Sequence, residues 1–165
     1  LTLVTTFFLH AGLLHLLGNL YFLLVFGDNT EQALGRGGYL ALIFLAGVVG
    51  ALCHALGDPR SDIPLVGASG GISGIIVYYA LQFPHVRLAF MIRWYFFFFR
   101  LGVRWALALW VALQLFGAWQ QINGYSNVSA MGHLGGAAVG LAFYFFARWR
   151  ASAPVKPSRA TPRHG

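Results

Sequence analysis

Five stretches of this chain, residues 9–26, 39–56, 65–83, 105–122 and 131–149, are almost wholly apolar. The hydrocarbon core of a bilayer takes roughly 20 such residues to cross as a helix. A helix satisfies every backbone N–H and C=O within its own segment, which lipid demands because it offers no partners. The other lipid-compatible solution, a β-barrel, needs repeated ten-residue segments of alternating polarity, and these are absent. Charged residues are only 9% of the 165, against 58% hydrophobic, where soluble domains carry about 25% charged. The expected fold class is an all-α polytopic membrane protein: one helical bundle over residues 1–150, then a basic, disordered cytoplasmic tail at 151–165. The abrupt start at Leu1-Thr2-Leu3-Val4, without Met, leads us to expect a chain cut from something longer, with a span upstream.

A net charge of +7 is compatible with nucleic acid, but its placement points to lipid. Arg87, Arg93, Arg100 and Arg104 share one connection; Arg148, Arg150, Lys156, Arg159 and Arg163 cluster at the C-terminus. Both groups flank apolar stretches, where Lys and Arg mark the cytoplasmic side, so the bilayer is the expected partner and nucleic acid is not. With the tail inside, connections 123–130 and 57–64 fall outside, and 84–104 and 27–38 inside. The first of the outer pair is uncharged; the second holds Asp58 and Asp62 against Arg60. A bacterial cytoplasmic membrane, with the C-terminus in the cytoplasm, is the expected location. The inner connection mixes its arginines with Phe90, Met91, Trp94, Tyr95 and Phe96 to Phe99. Too short and too charged to span, it is expected to lie at headgroup level.

That topology used none of the polar residues within the spans, yet it puts Ser69, His133, His15 and Asn19 all in the outer half of the membrane. A hydroxyl and an imidazole are expensive to bury in lipid without partners. If Ser69 and His133 meet, they form a nucleophile and its general base. The chain's acids are Asp28, Glu31, Asp58 and Asp62, none within a span near His133, so a dyad is expected rather than a carboxylate-completed triad. His15 and Asn19, four apart, share a helical face. They either donate to an oxyanion beside Ser69, together with the Ser69 backbone N–H, or act as polar glue between helices. Spacing alone leaves both open. His10 lies on a different face and reads as structural or interfacial. His54, His85 and His164 lack partners at metal-ligand spacing and no His-Glu-x-x-His occurs, so neither a metal nor another cofactor is expected.

Small residues suggest how Ser69 and His133 meet. Gly132, Gly136 and Gly140 lie on one helical face, and Gly70 and Gly74 on another. Such seams let helix backbones approach closely in lipid. Pressing the two seams together brings hydroxyl and imidazole into hydrogen-bond reach. Gly47 and Gly50 read as packing alone, and Cys53 as a small buried filler.

Taken together, His15-x3-Asn19, Gly67-Ala68-Ser69-Gly70, and Gly132-His133 followed by Gly136 and Gly140 closely resemble the rhomboid family of intramembrane serine proteases. The resemblance runs from about His10 to Trp149. It implies Ser69 as nucleophile, His133 as base, and His15, Asn19 and the Ser69 N–H as the oxyanion hole. Glu31 would match a structural acid at the inner end of its helix. It further implies a six-helix core, of which the five spans would be the second to sixth, with the serine on a short helix opening below the outer surface. The activity implied is cofactor-free cleavage of transmembrane protein substrates near the outer face; the alternative is an inactive rhomboid-like protein that binds and sorts membrane clients. Oligomeric state and natural substrate are not legible. One departure stands out: where rhomboids often place an aromatic that packs on the histidine, four residues after the nucleophile, this chain has Ser73.

Overall fold

The computed structural model describes residues 5–57, 59, 66–92 and 97–152. From Leu13 to Gly57 the chain is helical (α1) except at Gly35, whose φ of 70° lies in the left-handed region. A Cβ is disfavoured there, so the glycine marks where the helix reverses. The limbs on either side fold back on each other: the Tyr39 hydroxyl lies 3.1 Å from where a Cβ on Gly27 would stand. The polar connection expected at 27–38 is thus helix on both sides of one residue, a correction to the sequence reading.

The next helix, α2 (Ser69–Gln82), has 14 residues, not the full span expected over 65–83. At 1.5 Å per residue it is about 21 Å long, short of a bilayer core. Everything from Gly71 to Ala80 is buried, because α2 runs through the middle of the bundle. Ile72, Ile75 and Tyr78 form the core with Leu42 of α1 and Val103 of α3 (Val103–Ile122). The last helix, α4 (Ala130–Ser152), extends beyond the expected 131–149. The fold is mostly helical, and among the described residues α1 and α4 are long and apolar enough to cross a membrane.

The connection between α2 and α3 departs from an all-helical fold. Strands β1 (Arg87–Ile92) and β2 (Phe97–Gly102) pair antiparallel, with Arg87 opposite Gly102 and Ile92 opposite Phe97. Pairing satisfies backbone groups that a segment too short for a spanning helix must place somewhere. The Val103 N–H donates to the Val86 carbonyl at 2.9 Å, closing the base of the pair. Arg93, Trp94, Tyr95 and Phe96, most of the 57–64 connection and the tail from 153 lie outside the described residues.

Glycine contacts determine how the helices approach. A Cβ on Gly136 would run into the Gly70 carbonyl oxygen, and one on Gly140 into the Gly74 carbonyl. One on Gly74 would stand 2.6 Å from the Ala46 Cβ, and one on Gly50 2.6 Å from the Gly132 carbonyl oxygen. The backbones of α2 and α4 touch, with the second limb of α1 against both. Large apolar side chains ring the outside: Leu14 is 85% exposed and Trp105 73%. Water would penalise a continuous surface of that kind; hydrocarbon does not.

Gln121 ties one end of the bundle together. Its Nε2 lies 3.2 Å from His54 Nδ1 of α1, and its Oε1 accepts from the Met131 N–H of α4 at 3.1 Å. An amide 5% exposed in an apolar bundle is tolerated because both its ends are engaged.

Candidate active site

At that same end, Gly67 turns the chain into α2 with φ 109°, and its N–H donates to the Thr6 carbonyl at 2.8 Å. Ser69 is the first residue of the helix, where backbone N–H groups have no intrahelical acceptor and point at whatever lies in front. Its Oγ lies 2.9 Å from His133 Nε2, in the first turn of α4. The two residues are 64 apart in sequence, and the Gly70–Gly136 contact is what lets them meet. The other ring nitrogen, Nδ1, lies 2.9 Å from Gln114 Oε1 of α3. An amide oxygen only accepts, so Nδ1 carries the proton and the Nε2 lone pair faces the Ser69 hydroxyl.

His15 and Asn19 stand side by side over Gly67. A Cβ there would lie 2.8 Å from His15 Cε1, 3.1 Å from its Nε2 and 3.4 Å from Asn19 Nδ2. The Ala11 N–H donates to His15 Nδ1 at 3.4 Å, which leaves Nε2 as the N–H donor of that ring. Asn19 is 7% exposed, and its Nδ2 has no hydrogen-bond partner among the described residues. Such a buried donor costs about 1–3 kcal/mol. As polar glue, Asn19 would need a partner for that amide, and none is found among the described residues.

His10 sits differently from the sequence expectation. The helix begins at Leu13, so helical faces do not apply at His10, and its ring lies edge-on to His15 at 5.3 Å between centroids. Ser73 is buried, with its hydroxyl donating to the Ser69 carbonyl at 2.7 Å. Glu31, partly exposed, accepts from the exposed Arg36 Nε at 3.5 Å, a pairing of small energetic weight.

A cavity of ≈ 760 Å³ opens onto this group, lined among others by His15, Asn19, Ser69, Gln114 and His133, with Trp110 and Phe22 as apolar walls. It has the size of a small-molecule or peptide site. Sequence reasoning missed Gln114 and Gln121. Their signal was present: two amides seven apart, on one face of a mainly apolar helix.

Comparison with known proteins matches the Rhomboid domain family over residues 1–150. Among curated proteins, the chain is 37% identical to Rhomboid-related protein 1 of Caenorhabditis elegans, over 82% of the chain and 36% of that protein. It is 35% identical to Putative rhomboid protease YdcA of Bacillus subtilis (strain 168), over 47% of the chain and 38% of that protein. Presenilin-associated rhomboid-like protein A, mitochondrial, of Danio rerio is 26% identical over 94% of the chain. The chain thus spans well under half the length of these relatives: 36%, 38% and 40%. No solved structure matches it.

Proposed function

This chain belongs to the rhomboid family of membrane proteins, and on that footing we propose that it is a serine endopeptidase that cleaves membrane proteins in or near their transmembrane segments. The observation that carries the reading is the 2.9 Å approach of His133 Nε2 to Ser69 Oγ. His133 takes the hydroxyl proton as the oxygen attacks a peptide carbonyl. The carbonyl oxygen becomes an oxyanion beside three donors: the Ser69 N–H, His15 Nε2–H and the unpartnered Asn19 amide. His133 then protonates the leaving amine, and the Ser69 ester is hydrolysed by water activated on the same imidazole. A peptide bond locked in a helix is a poor target, so the substrates are segments with helix-weakening residues and, by likeness to the family, a small residue before the cut.

In this reading the two limbs of α1, the short central α2, α3 and α4 are the second to sixth helices of a six-helix core, with α2 lying within the membrane without reaching across it. The arginine-rich β1–β2 connection and the C-terminus face the cytoplasm, with the active site toward the outer face. The placement of basic residues supports this orientation; the membrane proposed is a bacterial cytoplasmic one.

A fluorophosphonate tests the reading directly. Full-length protein in detergent is expected to be labelled covalently on Ser69, with labelling absent in Ser69→Ala. An unlabelled wild type would leave the client-binding, inactive alternative. The oxyanion assignment is tested separately by Asn19→Ala, expected to lower kcat about 100- to 1000-fold in initial-rate assays. A loss below threefold would return Asn19 to a packing role.

A further inference from the structure

Among the described residues no carboxylate reaches the imidazole of His133, and the neighbour that family likeness would supply to hold it is replaced by Ser73. The Ser73 hydroxyl is committed to the Ser69 carbonyl. Yet a general base must present one particular nitrogen. A neutral imidazole exists as two tautomers, and its ring can turn over; only the form protonated on Nδ1 leaves Nε2 free to accept from Ser69. Among the described residues, the hydrogen-bond partner of the His133 ring besides Ser69 is Gln114 Oε1, at 2.9 Å.

We propose that Gln114 is the positioning residue of this active site, a neutral acceptor that holds the His133 ring by its Nδ1–H in the place a carboxylate takes in a triad. The role rests on the hydrolase reading above. Three features support it. The amide oxygen can only accept, so it selects the productive tautomer. It is uncharged, so it avoids the desolvation cost of an ionised carboxylate at this depth. Finally, Nδ1–H bound to it becomes a charge-assisted donor once Nε2 takes the serine proton, so the contact strengthens as the reaction proceeds. Gln114 comes from α3, Ser69 from α2 and His133 from α4. A third helix therefore sets the angle of the base, independently of the glycine seam that sets its distance. Gln121, seven residues on, ties α3 to α1 and α4 and holds Gln114 at the right height.

The experiment compares wild type, Gln114→Leu and Gln114→Glu in full-length protein, measuring kcat and KM on a model transmembrane substrate, the rate of fluorophosphonate labelling, and thermal unfolding. Gln114→Leu is expected to lose about 100-fold in kcat and in labelling rate, with KM within about twofold and the unfolding temperature unchanged or raised. Gln114→Glu, which restores an acceptor at the same reach, is expected to recover at least about a tenth of wild-type kcat. Kinetics within threefold of wild type in Gln114→Leu would overturn the role. So would a loss shared equally by Gln114→Leu and Gln114→Glu and matched by a fall in unfolding temperature, since that marks packing. An unlabelled wild type would overturn the hydrolase reading and this role with it; a labelled wild type with an unaffected Gln114→Leu would overturn this role alone.

Discussion

Ser69→Ala and His133→Ala are each expected to abolish cleavage of a model transmembrane substrate, and the double variant to be no worse than either single one. In serine hydrolases whose nucleophile and base act as a unit, removing either costs on the order of 10⁶ in kcat, about as much as removing both. Here the two touch at 2.9 Å and, among the described residues, no acid is placed to support one without the other, so the same non-additivity follows. Initial rates of the full-length protein in proteoliposomes measure it. Additive losses would mean that Ser69 and His133 serve different steps, and wild-type cleavage in either single variant would remove that residue from the chemistry.

Gly136→Val is expected to reduce activity by at least about 100-fold and to lower the unfolding temperature, although residue 136 is not part of the proposed chemistry. The new Cβ would fall on the Gly70 carbonyl oxygen, with the Ala46 carbonyl oxygen 3.2 Å away. Both obstacles are backbone and cannot rotate aside, so α2 and α4 must part. Overpacking of this kind typically costs 1–3 kcal/mol, occasionally more, and a misplacement of about 1 Å alone costs on the order of 100-fold in rate. Ser69 lies immediately before Gly70, which makes it the first group displaced. Gly37→Ala is the control, because a Cβ there meets nothing within 4 Å and alanine is the better helix former. Thermal unfolding and cleavage rates on the two variants separate steric exclusion from any general sensitivity to losing glycine. Activity near wild type in Gly136→Val would mean that the seam does not set the Ser69–His133 distance.

Several features escaped the sequence reading for identifiable reasons. The reversal at Gly35 was hidden because polar residues on both sides suggested an ordinary loop, whereas one left-handed residue is enough to reverse two helices. The shortness of α2 was hidden because Leu65 and Val66 extend the apolar run, and hydropathy does not register where helical geometry begins. The β1–β2 pair was missed because aromatics and arginines in Arg87–Gly102 do not alternate cleanly, and strand pairing is decided by a partner elsewhere in the chain. Gln114 was missed because its significance lies in the nitrogen it faces, which only the folded chain supplies.

What the amino-acid order decided alone was the solvent and the cost. Apolar runs with basic flanks demand lipid-embedded helices, and every polar group left inside them is costly to keep there, which singled out Ser69, His133, His15 and Asn19 before any geometry. Which of them meet, and which is left facing the cavity, was decided by the folded chain. Contacts between residues 64 apart depend on how closely two backbones can approach, and that is determined by atoms three-dimensionally adjacent to Gly70, Gly74, Gly136 and Gly140, not by their neighbours in sequence.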